Sequence, residues 1–404
     1  MPNAKPFEQP AAGGRRTGAP LLVLFLTVFV DLLGFGIVIP FLPMYAARLG
    51  VGAAGIGLLL SIYSLMQLIC APILGRLSDH VGRRPIIMIG LLGSSFGYLI
   101  YGFAYSFFWL IASRALHGAC AATVSTAQAY VADTTTEDNR AHGMGMIGAA
   151  FGLGFVLGPA IGGLLGHSSL RTPVFFAAAL TFANLIFAAY ALPESHQPDH
   201  QALRWVRMIE PLLMLPRQLT RHHLSRLFSI AFLGTFAMAG FETTFALMVP
   251  RVYGDGAAGI GGLFAFAGLI QALAQGYLLG KVVSRTGEII LIRAGMIVFA
   301  AGMAPMASLA SHAMLFVMIA LLSIGYGFAS PSVASLISKR TQRHLQGEVL
   351  GVNQSALSLA RICGPIAAGF IYQMLGPSAV YIAGGLVAIL AAVLTSGIGI
   401  EADA

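Results

Sequence analysis

The chain has 404 residues, of which 57% are hydrophobic and only 9% charged, and it carries a formal net charge of +8. Soluble domains carry roughly 25% charged residues, so a water-soluble fold of this size would lack the polar surface to cover itself. Cys70, Cys120 and Cys363 fall singly inside apolar segments at no metal-ligand spacing, so neither a metal site nor a disulfide framework is expected.

The apolar residues fall in twelve blocks, at 21–43, 54–74, 86–106, 108–132, 143–166, 172–192, 226–250, 257–280, 289–310, 312–337, 347–373 and 376–399. Blocks of about 20 residues, at 1.5 Å per residue, cross a hydrocarbon core of about 30 Å. Lipid offers the backbone no hydrogen-bond partners, and segments this long satisfy themselves as helices. The predicted fold class is therefore an all-α membrane protein with 12 transmembrane helices.

An even number of spans places both termini on one side. Of the 23 lysines and arginines, Arg48, Arg171 and Arg251 lie on the opposite side and Arg114 and Arg361 lie inside spans; the rest sit on the side of the termini. The positive-inside rule then makes both termini cytoplasmic, and a plasma (inner) membrane location is expected. This bias accounts for the net charge, so no nucleic-acid partner is expected. The first span lacks a small-residue cleavage site and contains Asp31, so it reads as a retained helix behind a cytoplasmic tail, 1–20.

Asp31, near the middle of span 1, and Glu242, in the outer half of span 7, are acids inside apolar segments. An unpaired charge there is costly, so such a residue faces a cavity, pairs, or takes up and releases a proton. Span 2 carries Tyr63 and Gln67. It is followed by Gly75-Arg76-Leu77-Ser78-Asp79-His80-Val81-Gly82-Arg83-Arg84-Pro85, read as a tight loop whose Asp79 lies among arginines and whose Pro85 suits the first turn of span 3. Arg114 precedes His117-Gly118 in span 4, and Asp133 closes that span. Two roles are open for His117, titration or packing.

Span 5 holds Gly145, Gly154, Gly158, Pro159, Gly162, Gly163 and Gly166. A spacing of four puts Gly154, Gly158, Gly162 and Gly166 on one face, where another helix can approach closely, and Pro159 bends the rod. A polar linker, 194–225, then separates the two halves, 21–193 and 226–404. It holds His222 and His223, adjacent histidines without a carboxylate partner, which read as solvated loop. In the second half Gln271, Gln275, Phe241 and Phe245, with Tyr63 and Gln67 of the first, either line a pocket for an amphipathic solute or pack between helices. Arg361, in span 11, either holds an anionic solute or neutralises Glu242.

The halves repeat one plan. Gly-Ala-Ala-Gly-Ile-Gly at 52–57 recurs letter for letter at 256–261, Gln67 corresponds to Gln271, Gly75 to Gly280, and Gly158-Pro159 to Gly364-Pro365. Two parallel six-helix repeats around a midplane cavity are the arrangement that permits alternating access. Gly143-Met144-Gly145-Met146-Ile147-Gly148 matches a dinucleotide fingerprint, but no strand precedes it. Gly93-Ser94-Ser95-Phe96-Gly97 matches a hydrolase elbow in mid-helix without a base. No enzymatic activity and no cofactor are expected.

The run from Gly75 to Pro85 resembles the signature loop of the major facilitator superfamily. That resemblance implies two pseudo-symmetric six-helix bundles and a cytoplasmic gate of Gly75, Asp79, Gly82, Arg83, Arg84 and Asp133. In it Asp79 would face the start of span 11 near Gly347, and Arg83 would pair with Asp133. The second copy has Ser284 in place of the aspartate, which implies a weaker latch there. The glycine string of span 5 resembles the antiporter motif of the superfamily's exporters, implying a hinge between halves and export. The family's span 4 motif usually has glutamine where His117 stands.

The run Asp31 to Pro43, the residues Val131-Ala132-Asp133 with Asn139-Arg140-Ala141, and the run Ile270 to Gln275 resemble the tetracycline efflux group. That group's acids of spans 3 and 9 have no counterpart: Gly97 stands at the first place and span 9 has none, so tetracycline itself is not implied. The expectation is a monomeric proton-coupled antiporter with Asp31, Arg114 and Glu242 in coupling, exporting a hydrophobic or amphipathic small molecule. The alternative is a metabolite or sugar symporter or facilitator of the same fold.

Overall fold

The computed structural model describes residues 18–195, 224–306, 308, 311–342 and 345–398. The greater part of the predicted tail, most of the 194–225 linker, and His222 with His223 lie outside the described residues. Within them all regular structure is helical. The first bundle comprises α1 (Gly18–Val38), α2 (Leu42–Arg48), α3 (Ala53–Val81), α4 (Arg83–Gly102), α5 (Phe107–Ala119), α6 (Thr123–Thr134), α7 (Glu137–Gly166) and α8 (Thr172–Ala191). The second comprises α9 (Ser225–Tyr253), α10 (Ala257–Leu273), a π-helical turn Ala274–Leu278, α11 (Leu279–Thr286), α12 (Glu288–Met303), α13 (His312–Lys339), α14 (Gln346–Leu375) and α15 (Pro377–Leu394).

Eleven spans among the described residues are long and apolar enough to cross a membrane, α1 with α2, α5 with α6, and α10 with α11 each counting as one. The sixteen-residue α12 is the twelfth, at the place of the predicted ninth span. Interior prolines Pro72, Pro159, Pro250, Pro331 and Pro365 lie within these helices without ending them, as membrane helices tolerate where neighbours re-satisfy the backbone.

Two boundaries differ from the sequence reading. The run from Gly75 is helical as far as Val81, and the chain turns at Gly82 alone, whose φ of 103° favours glycine. Likewise Gly280 lies within α11 and the turn falls at Gly287, φ 73°. Glycine in a helix costs only about 1 kcal/mol, so Gly75 and Gly280 do not stop their helices, whereas a left-handed position does. Span 4 breaks between α5 and α6, where Gly118 abuts the Tyr63 carbonyl of α3.

Each bundle buries its own core. In the first, Ile37, Tyr98, Tyr101 and Val174 of α1, α4 and α8 meet Phe41 from the turn before α2. In the second, Phe241, Phe245, Phe299 and Tyr381 meet among α9, α12 and α15. The bundles touch chiefly through two helix pairs, α3 with α14 and α7 with α10, so the repeat in sequence is a repeat in the interface. Gly57 of the first hexapeptide rests on the carbonyl of Pro365, and Gly261 of the second rests on that of Pro159.

Candidate functional site

The interface closes one end of the molecule. There Ser61 Oγ donates to the Ile362 carbonyl at 2.6 Å, the Ala54 amide donates to Gln373 Oε1 at 3.1 Å, and Gly369 lies against the Ala53 carbonyl. A methyl on Gly163 would stand 3.0 Å from Gly261 Cα, and one on Gly268 would stand 2.8 Å from the Phe155 carbonyl. Small residues let these backbones meet. At the other end, methyls on Gly75, Gly145, Gly148 and Gly152 of the first bundle, or on Gly276, Gly280 and Gly351 of the second, would touch nothing within 4 Å. The close backbone contacts between the bundles thus gather where α3 begins, the sealed end, and these glycines add none where it ends, the separated end.

The glycine stripe of α7 divides its work. Gly154, Gly158 and Gly162 face α1, against Leu32, Gly36 and Ile37, so they hold the helix that carries Asp31. The contact with the other bundle comes from Pro159, Gly163 and Gly166, the last against Ala257. The spacing identifies the smooth face, yet only the structure shows that its partner is α1 of the same bundle.

Tyr63 is half-buried on α3, and the charges of Asp31, Arg114 and Arg361 all bear on it. Asp31 is partly buried, and the side chain that bears on its carboxyl is the neighbouring hydroxyl of Thr123, with no cation paired to it. Glu242 and Arg361 are both solvent-accessible, and Glu242 has protein packed closely around it, as befits a group lining a cleft. Arg361 is the cation whose charge acts on Glu242, but the two form no direct ion pair. An acid from each bundle thus lies within the spans, and the charge of Arg361 bears on both Glu242 and Tyr63.

Arg114 does not ion-pair with Asp31. It is 1% exposed, its Nε and Nη2 have no partners, and its charge meets the ring of Tyr101 at 5.7 Å, with Tyr98 and Tyr63 nearby. His117 sits in an aromatic cage, 4.7 Å from Tyr98, 5.1 Å from Tyr63 and 6.2 Å from Phe35 between ring centroids. Of the glutamines, Gln67 Nε2 donates to the Ala121 carbonyl at 3.3 Å across the α5–α6 break, Gln271 packs near Gly327, and Gln275 is exposed in the π-helical turn. Phe241 and Phe245, candidate pocket residues, are each 1% exposed and pack as tilted rings, centroids 4.8 Å apart, in the second core.

At the separated end Arg83 organises the turn. Its Nε donates to Asp133 Oδ2 at 2.9 Å and its Nη1 reaches Asp79 Oδ1 at 2.5 Å and Ser78 Oγ at 2.6 Å. Arg83 is buried while Asp79 is half exposed, paired within its own turn. The partner that sequence reasoning missed is Glu194, just beyond α8. Its Oε1 accepts the Arg83 amide at 2.8 Å, its Oε2 accepts the Arg84 amide at 3.2 Å, and a side chain on Gly82 would collide with it. These amides are the unpaired donors of a helix N-terminus, where a carboxylate is favoured. Arg84 also donates from its guanidinium to the Ala189 carbonyl, and Tyr130 from its hydroxyl to that of Pro193 at 3.0 Å, so the ends of α6 and α8 are tied to this turn.

Residues 24–363, and again 291–398, match the family model for the Major Facilitator Superfamily. The chain is 34% identical over 360 residues to the tetracycline resistance protein, class C, of Escherichia coli, covering 87% of this chain and 89% of that one. It is 29% identical over 361 residues to multidrug resistance protein 1 of Bacillus subtilis, covering 88% and 90%. Its backbone matches the crystal structure of the human organic anion transporter MFSD10 (TETRAN) with a TM-score of 0.70 and 26% identity, covering 96% of this chain and all of that one. With two six-helix bundles, a duplicated seam and a sequence match along most of its length, the chain belongs to the major facilitator superfamily.

Proposed function

We propose that this multi-pass membrane protein is a proton-coupled antiporter that exports a hydrophobic or amphipathic small molecule by alternating access. The observation that carries the reading is the pair of intramembrane carboxyls without an ion pair, Asp31 in one bundle and Glu242 in the other, with the charges of Asp31 and Arg361 both bearing on Tyr63. A carboxyl without a fixed counter-charge can be loaded with a proton on one side and unloaded on the other, which links proton movement to the rocking of the bundles. Relatives named for tetracycline and multidrug resistance support export of an organic compound.

In this reading both termini and the Gly75–Pro85 turn are cytoplasmic, in the plasma (inner) membrane, and the structure is the inward-open state. The bundles are the units 21–193 and 226–404, joined by the 194–225 linker. One copy suffices, and the protein moves its substrate unchanged rather than reacting with it. Gln67, Gln271, Gln275 and Arg361 supply polar contacts to the solute. Arg83, fixed by Asp133 and Glu194, holds Asp79 ready to latch the cytoplasmic end when the bundles close.

The test is exchange in proteoliposomes carrying an internal pH dye, screened with cationic dyes and antibiotics. Asp31→Asn and Glu242→Gln are each expected to abolish proton-driven accumulation while leaving downhill flux. Full-rate exchange in both variants would remove these acids from the mechanism. Uptake down a gradient with no counter-moving proton in the parent would replace the antiporter with a facilitator.

A further inference from the structure

Three arginines, Arg48, Arg171 and Arg251, break the charge asymmetry of the chain by lying at the sealed end, away from the other surface cations. Two of them line one cavity. Arg48, at the last turn of α2, and Arg171, just before α8, border a surface hollow of about 180 Å³ with Tyr45, Leu49, Ser169 and Leu170. No carboxylate contributes to the lining. Arg48 makes no hydrogen bond or ion pair among the described residues, and two like charges converging on one hollow repel unless an anion joins them.

The hollow is built rather than incidental. Tyr45 is 5% exposed and its hydroxyl donates to the Ala104 carbonyl at 2.7 Å. The same hydroxyl accepts from Arg171 Nε at 3.0 Å, with the guanidinium 5.8 Å from the centre of the Tyr45 ring. One edge of Arg171 is thus fixed, while its two terminal nitrogens remain free to donate. A planar fork of that kind matches phosphate oxygens, which accept several charge-assisted hydrogen bonds at once.

Depth in the membrane indicates where the phosphate comes from. The residue after Ala104 is Tyr105, 72% exposed, and Phe103, Phe108 and Trp109 are exposed beside it. Exposed aromatics at a helix end mark the headgroup level of a bilayer. The arginine hollow is tied through Tyr45 to that belt. We infer that Arg48 and Arg171 form a phosphate site at the sealed end, filled by the phosphodiester of an anionic lipid headgroup in the facing leaflet. A lipid held there would anchor the first bundle, while the third arginine, Arg251, lies against Tyr372 in the second bundle.

The whole chain, purified in detergent, would be titrated with phosphatidylglycerol and with diacylglycerol of the same acyl chains, and adducts counted by native mass spectrometry. The double variant Arg48→Gln/Arg171→Gln is expected to lose about tenfold in phosphatidylglycerol affinity, with diacylglycerol unchanged. Lys281→Gln/Arg285→Gln, which removes the same charge at the other end, is expected to match the parent. Tyr45→Phe, which leaves both charges but frees the fork, is expected to weaken binding several-fold. A parallel thermal-shift titration with inorganic phosphate identifies the source: stabilisation there, lost in the double variant while lipid binding is unaltered, assigns the site to the free ion. Parent-like binding of both ligands by the double variant, or an equal loss in the Lys281/Arg285 control, overturns the proposal.

Discussion

A methyl group on Gly261 would stand 2.5 Å from the carbonyl oxygen of Pro159, and the same encounter joins Gly57 to Pro365 in the other half of the repeat. Each hexapeptide of one bundle seals against the Gly-Pro pair of the other, so both closures depend on the absence of a side chain.

Gly261→Val and Gly57→Val are therefore expected to disfavour the state seen here, since rigid backbone cannot yield to a new side chain as a flexible residue would. A clash of a few kcal/mol moves a two-state equilibrium by a hundredfold or so, roughly 2.8 kcal/mol per hundredfold. Transport should fall at least about tenfold. The disulfide yield between cysteines placed at Ala54 and Gln373, neighbours in the sealed state, should fall with it. Unchanged cross-linking in both valine variants would show that the seal lies elsewhere.

The helices and their duplication were legible because lipid imposes a length and apolarity that composition reports directly, and because the hexapeptide recurs without change. Which face of each helix meets which neighbour was less legible. Membrane helices are apolar all round, so periodicity does not separate a cleft face from a core face; this is why Phe241 and Phe245 read as pocket residues and lie in the second core. Glu194 was hidden because its partners Arg83 and Arg84 are 111 and 110 residues away. The Arg83–Asp133 pair was anticipated only from family resemblance, while the loop expected from Gly75 proved helical to Val81 because Gly82 alone takes a left-handed φ.

Arg83 contacts Asp133 through Nε and both Asp79 and Ser78 through Nη1. A lysine has one nitrogen at the end of a flexible stem and cannot span these acceptors. Arg83→Lys should reduce efflux about tenfold, because losing one charge-assisted bond costs about 1.5–3 kcal/mol, with little change in protein amount. The measurement is dye efflux in cells normalised to membrane content. An active Arg83→Lys protein would mean that charge alone suffices at this position.

Glu194 accepts the first amides of α4, and its carboxylate occupies the space that a side chain on Gly82 would need. Removing a helix cap of this kind costs about 0.5–2 kcal/mol. Glu194→Gln, which keeps the acceptor but loses the charge, should lower the unfolding temperature less than Glu194→Ala. Gly82→Ala, strained at φ 103° as well as blocked, should be worse than either. Differential scanning fluorimetry on the three purified variants gives the order directly, and an Ala variant as stable as the parent would remove Glu194 from the turn.

Arg114 is a buried charge left without a counter-ion, with 1% exposure, two nitrogens without partners and no carboxylate paired to it. Its compensation is the face of Tyr101 and the tyrosine hydroxyls around it. Replacing buried ionic groups by apolar ones of similar volume is often neutral or stabilising by about 1–4 kcal/mol. Arg114→Met should therefore raise the unfolding temperature of the purified protein while abolishing transport, whereas Arg114→Lys, which keeps a buried charge, should not stabilise it. That split separates a residue retained for function from one retained for the fold. If the methionine variant unfolds at the same or a lower temperature, the guanidinium is fully compensated in this state, and its isolation from Asp31 is no source of instability.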